Sequence, residues 1–255
     1  MKPNRFKRAI AEGRPQIGIW SMMREPMVTE MLGQLGYDWI LLDCEHTPND
    51  EPGVMAMLQA LSACETEPMV RPSCLNVAEI KRLLDVGARN ILVPYVQTVE
   101  EAELAAAAVA YPPEGIRGVS SVSRATGFGA EPEYFTKARE EICLILQIET
   151  REALDRLEEI AAVPGIDGLF IGPADLAASL GHPGNPKHPE VHAAITDGIA
   201  RIRAAGKPAG FLSPDQGLLE DVVKAGCTFT AVDIDLPLLR RGALARLEAC
   251  KHFKG

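Results

Sequence analysis

Along the chain, short apolar runs alternate with longer stretches in which apolar positions recur every three or four residues. The runs are IGIWS (from Ile17), WILLD (from Trp39), EPMVRP (from Glu67), NILVP (from Asn90), LILQIE (from Leu144), GLFIGP (from Gly168), PAGFLS (from Pro208) and FTAVDID (from Phe229). Their length and near-continuous apolar character are those of strands buried on both faces. The stretches between them, such as VAEIKRLLDVGA and TVEEAELAAAAVA, carry helical periodicity with glycine or proline at their ends. Eight strands alternating with helices predict an α/β fold, a single (β/α)8 TIM barrel spanning residues 1–255 with a last helix at about 236–252.

One segment breaks the alternation. PPEGIRGVSSVSRATGFGAEPEYF, Pro112 to Phe135, is a long Gly/Ser/Arg-rich insertion between the fourth helix and the fifth strand. A loop of this length in a compact barrel is either plain surface or a cover for a site or a neighbouring subunit, and the second reading is preferred.

Composition narrows the partners. With 47% hydrophobic residues in 255, the chain can bury a large core. The 35 acidic residues outnumber the 26 lysines and arginines, for a net charge of -9, and no basic cluster occurs. Nucleic acid and anionic membranes would be repelled, so neither is expected as a partner. No apolar stretch approaches the roughly 20 residues of a membrane helix. The six cysteines (44, 64, 74, 143, 227, 250) form no CxxC pair, and MKPNRFKRAIAEGRP has no apolar signal core, which favours reduced thiols in a cytoplasm.

In a barrel the carboxyl ends of the strands hold the chemistry. The polar and rim residues expected there are Trp20, Asp43, Glu45, His46, Arg71, Gln147, Glu149, Asp175, Leu212, Asp233 and Asp235. Glu149 and Asp175 end neighbouring strands, and two carboxylates converging in a partly apolar cavity repel unless a proton or cation lies between them. A hard divalent cation with an incomplete oxygen shell answers that problem; the alternative is that Asp175 only caps the helix beginning LAASL. Arg71 offers fixed donors for a substrate carboxylate or oxyanion, against the plainer reading of a surface ion pair. His46 suits proton transfer, although a lone histidine is commonly structural. Trp20 and Leu212 would form an apolar rim, or simply belong to the core. His188 and His192 have helix-face spacing, but lie in and after a proline-rich loop and are not read as a zinc site. No lysine falls inside the barrel for Schiff-base chemistry, and no G-x-S-x-G elbow, P-loop or complete G-x-G-x-x-G occurs.

Taken together, LLDCEHTPND, MVRP, LLDVGARNILVPYVQTVEEAE, PPEGIRGVS, LILQIET and GIDGLFIGPADLAASLG resemble the class II, metal-dependent pyruvate aldolases of the HpcH/HpaI family, over Ile17 to about Leu239. The resemblance implies reversible cleavage of 4-hydroxy-2-oxo acids to pyruvate and an aldehyde through a pyruvate enolate held on Mg2+, Mn2+ or Co2+. It implies Glu149 and Asp175 as metal ligands, Gln147 and the Ala174 backbone as pyruvate contacts, His46 as base, Arg71 as oxyanion stabiliser and Asp85 as the residue that raises the basicity of His46. It also implies a homo-oligomer, by analogy a hexamer. Two departures stand out. Asp85 lies late in a helix that should end at the opposite face from His46, and Asp233 stands where the family shows glycine. An apolar rim would tolerate many aldehydes, since one methylene discriminates by only ~1–3 kcal/mol. Rival readings are oxaloacetate decarboxylation, which reaches the same enolate, a metal-dependent hydrolase, and a non-catalytic barrel that binds a 2-oxo acid.

Overall fold

Eight parallel strands close into a barrel in strict sequence order in the computed structural model, which describes residues 2–254. They are β1 (Gln16–Ser21), β2 (Trp39–Asp43), β3 (Glu67–Arg71), β4 (Asn90–Val93), β5 (Cys143–Ile148), β6 (Gly168–Ile171), β7 (Ala209–Leu212) and β8 (Phe229–Ile234). Each coincides within a residue or two with an apolar run of the sequence, because each is covered on both faces. Ile40, Leu42, Val70, Ile91, Leu144, Leu146 and Leu169 pack outward beneath the helices. Trp39, Leu41, Met69, Leu92, Ile145, Phe170 and Phe229 fill the interior.

The helices start and stop for local reasons. Thr98 and Glu101 form a reciprocal capping box for Val99–Ala108, and Asn76 accepts from the Ala78 and Glu79 amides to start Val77–Asp85. The first helix, Arg5–Ala11, drives Phe6 and Ile10 into the amino-terminal end of the barrel, where the Phe6 ring meets Phe229 edge-on at 5.5 Å. That end is thereby plugged, and the site is left to the other end.

β8 closes against β1 with an irregularity: Gly18 pairs with Ala231 and Trp20 with Ile234. Three residues of β8 thus span two of β1, so Ala231 and Ile234 both join the interior. Asp233 instead pairs with Arg241 on the last helix, Asp235–Cys250. Only Asp235 of that helix is buried; Leu236, Leu238, Leu239, Leu244 and Leu247 are exposed. No helix among the described residues is long and apolar enough to cross a membrane.

The Pro112–Phe135 insertion does not reach the carboxyl ends of the strands of its own chain. It returns from the end of Val99–Ala108 and binds the end of Val77–Asp85, where the Ala125 amide donates to the Asp85 carbonyl (3.0 Å) and Arg124 Nη1 to the Val86 carbonyl (2.8 Å). Arg117 is fully buried there, ion-paired to Asp85 (2.9 Å) and lying over the rings of Tyr111 and Tyr134. Ile116, Val119, Val122 and Phe128 remain exposed on it.

Candidate active site

The carboxyl ends of the strands surround a cavity of about 180 Å3 lined by Trp20, Met22, Asp43, His46, Arg71, Gln147, Glu149, Phe170, Gly172, Pro173, Ala174, Asp175, Leu212 and Ile234. Of the sequence-derived candidates, His46, Arg71, Gln147, Ala174, Trp20, Leu212, Glu149 and Asp175 therefore share one space. Asp85 does not enter it: within one chain its carboxylate is committed to Arg117, at the end of a helix that runs away from the mouth. Asp233 is also outside the lining, because the irregular β8 register directs it toward Arg241.

Arg71 is the most tightly held group. Its Nε and Nη2 donate to Asp43 Oδ1 and Oδ2 at 2.8 and 2.7 Å, a two-point pairing made possible because Asp43 and Arg71 are direct register partners at the ends of β2 and β3. Nη1 lies 2.7 Å from Glu45 Oε2, and the guanidinium carbon sits 4.7 Å from the centre of the Trp20 ring. Trp20 thus supports Arg71 as well as forming a wall. Burial alone would raise the Asp43 carboxyl, but the hydrogen bonds and charge of Arg71 hold it below the ordinary range. Burial raises Glu45 despite Arg71. His46 follows on an exposed turn, with Nε2 3.5 Å from Glu45 Oε2.

Across the cavity, Glu149 is 1% exposed. Its Oε1 accepts from the Tyr95 amide at 2.8 Å, and its Oε2 from the Gln147 side-chain amide. Burial, reinforced by the charges of Glu45 and Asp175, nevertheless pushes the Glu149 carboxyl up to about 7. Asp175 stands in the first turn of Pro173–Ser179, half-buried, and no hydrogen bond joins it to the other described residues. Gln147 Oε1 is buried without a partner. Three carboxylates, an orphaned amide oxygen and no available cationic side chain make an all-oxygen donor set suited to a hard divalent ion.

A second group of possible ligands lies outside this cavity. Donor atoms of His182, His188 and Glu190 fall within 4.8 Å of one another. The two imidazoles stack at 3.5 Å and Glu190 is already bonded to His182 (2.9 Å) and Arg151 (3.2 Å). His192, whose spacing from His188 suggested a pair, binds Asp221 instead.

Comparison with known proteins decides what the barrel is related to. The HpcH/HpaI aldolase/citrate lyase pattern matches residues 16–242. The chain belongs to that family. It is 52% identical to a pyruvate aldolase of Rhizobium etli over 95% of both chains. It is 50% identical to a 4-hydroxy-2-oxo-heptane-1,7-dioate aldolase of Klebsiella pneumoniae, over 98% of this chain and 94% of that one. The solved structure of an HpcH/HpaI aldolase/citrate lyase family protein from Burkholderia cenocepacia superposes with a TM-score of 0.94 at 35% identity, covering 97% of this chain and 99% of that one. The family assignment makes this chain a carbon–carbon lyase.

Several contributors were not legible in the sequence. Met22 and Ile234 line the cavity without any chemical signature. Gly172 and the Tyr95 amide act through space and backbone. Gly172 is the one that a pattern could have flagged, as the glycine between an apolar strand and Pro173.

Proposed function

We propose that this chain cleaves 4-hydroxy-2-oxo acids reversibly to pyruvate and an aldehyde with the help of a divalent cation held by Glu149 and Asp175. The observation that carries the reading is the charge imbalance of the cavity. Asp43, Glu149 and Asp175 line it with Arg71 as the one lysine or arginine, whose guanidinium Asp43 and Glu45 already occupy, and burial with the charges of Glu45 and Asp175 raises Glu149 to about 7. A cation bound there would neutralise the carboxylates and draw electron density from the substrate carboxylate and 2-keto oxygen.

The side chains supply the remaining steps. A ring nitrogen of His46 takes the proton from the 4-hydroxyl, and the C4 oxygen collapses to a carbonyl as the C3–C4 bond breaks. The released electron pair moves to C3 and onto the 2-keto oxygen. Arg71, immobilised by Asp43 and Trp20, stabilises that oxygen as it becomes negative. The proton on His46 returns to C3, completing the pyruvate methyl group. Gln147 and the Ala174 amide orient the pyruvate portion, and the apolar wall of Trp20, Leu212 and Ile234 accommodates the aldehyde.

The test is pyruvate release from a 4-hydroxy-2-oxo acid, measured after chelation and again after adding Mg2+, Mn2+ or Co2+. Activity that disappears and returns supports the reading; activity indifferent to chelator, or no pyruvate from any such acid, sinks it. Carbon dioxide release from oxaloacetate in the same samples separates aldol cleavage from decarboxylation.

We also infer a homo-oligomer, a hexamer by resemblance, working in the cytoplasm. Exposed leucines along Asp235–Cys250 and the apolar tip of the insertion support the association. Six unpaired cysteines support the compartment. Analytical ultracentrifugation gives the oligomeric state directly.

A further inference from the structure

The chain leaving β4 takes an unusual path. Tyr95, directly after Pro94, has φ +57°, a left-handed conformation that costs a non-glycine residue free energy. The path turns two successive amides toward β5: Tyr95 N–H donates to Glu149 Oε1 (2.8 Å) and Val96 N–H to the Gln147 carbonyl (3.3 Å). The Tyr95 ring itself is 51% exposed, outside the cavity lining, so the peptide rather than the side chain makes the contact.

Gly172 closes the opposite side. Its φ of -86° is open to any residue, so conformation does not demand glycine. Space does: a Cβ there would collide with Glu149 Oε2 and lie 2.8 Å from Gln147 Nε2. Glu149 is therefore gripped by backbone from β4, side chain from β5 and the bare Cα after β6. Without such a grip, a carboxylate beside Glu45 and Asp175 would swing away from like charge and have to be reordered on binding an ion.

We propose that the left-handed Tyr95 peptide and the bare Cα of Gly172 form a clamp that holds the Glu149 carboxylate ready for its cation, making Tyr95 and Gly172 positioning residues. This deepens the reading of Glu149 as a ligand and rests on it. Backbone strain stored beside a functional group is spent here on preorganisation.

The experiment replaces the Tyr95 amide with an ester, by incorporating the α-hydroxy analogue of tyrosine, and measures Mn2+ binding to the metal-free protein by calorimetry. Loss of one hydrogen bond to a charged acceptor should weaken the Mn2+ Kd by about tenfold. Gly172→Ala should weaken binding by more than about tenfold. An ester variant that binds Mn2+ as tightly as wild type overturns the clamp, as does a Gly172→Ala variant that does so.

Amide exchange at Tyr95 tests the clamp without any ion. Protection in the metal-free wild type that falls about tenfold or more in Glu149→Ala supports it, and equal exchange in the two overturns it. A wild type that protects Tyr95 yet binds no Mn2+ overturns the cation reading alone.

Discussion

The two ends of the barrel handle buried charge in opposite ways. At the amino-terminal end the acids that the core shelters are paired with bases: Glu67, 5% exposed, pairs with Arg5 (3.0 Å) and Arg89 (3.1 Å), and Asp85 with buried Arg117. Fully buried Asn4 donates to Asn90 Oδ1 (2.7 Å) and the Glu141 carbonyl (3.0 Å). At the carboxyl-terminal end, Asp43 and Glu45 already occupy the Arg71 guanidinium, and Glu149 and Asp175 are left without an ion-pair partner among the described residues. Balanced charge locks a structure, whereas charge left unbalanced at a cost is available for binding. The difference marks the first end as a fastening and the second as a site.

Substitution sharpens the contrast. Glu149→Ala should lower kcat/KM for pyruvate release by about 10^3-fold or more with little loss of Tm, since removing a ligand removes the cation. Arg71→Lys keeps the charge but not the two-point fork on Asp43, and should lower kcat by about 10^2-fold.

Acidity gives a third test. The Glu149 carboxyl titrates near 7 when folded, well above its ordinary value of 4.5, so the folded protein holds more protons than the unfolded chain between those values. Metal-free stability should therefore fall as pH rises from about 4.5 to about 7, by on the order of 3 kcal/mol. Denaturant melts across that range check it, and Glu149→Gln should flatten the slope. In the same window Mn2+ affinity should rise with pH, because the ion displaces a proton.

At the fastened end, Glu67→Ala should cost roughly 1–3 kcal/mol of stability while kcat of the folded protein stays unchanged. The smallest effect belongs to Asp233→Gly. It breaks a half-exposed pair with Arg241 outside the cavity, so a stability change under about 1 kcal/mol and unchanged kcat/KM are expected.

The strands could be read from sequence because burial on both faces writes itself as continuous apolar runs. The cavity side chains could be read because barrel topology fixes which strand ends meet. What escaped depends on details with no sequence period. Asp43 and Arg71 look unrelated until register sets them side by side. Asp233 looks inward-facing until the irregular β1–β8 pairing turns it out. Tyr95 is not a residue that announces a left-handed turn, and its contribution is a peptide N–H that every non-proline residue carries. The insertion does not cover the site of its own chain, because Arg117, bound to the Asp85 carboxylate and two tyrosine rings, fastens it at the far end of the barrel.

The plug formed by Arg5–Ala11 also sets an order of events during synthesis. Phe6 is made before any strand of the barrel, but of the two rings it packs against, Trp39 and Phe229, the second belongs to β8. Until that strand emerges, the first helix has no complete socket and the barrel has no closed circle. Seven strands must wait, with the socket of Phe6 open on one side, for β8 to finish both tasks at once. Substitutions that loosen Phe6 or Phe229 therefore act on the same closing step.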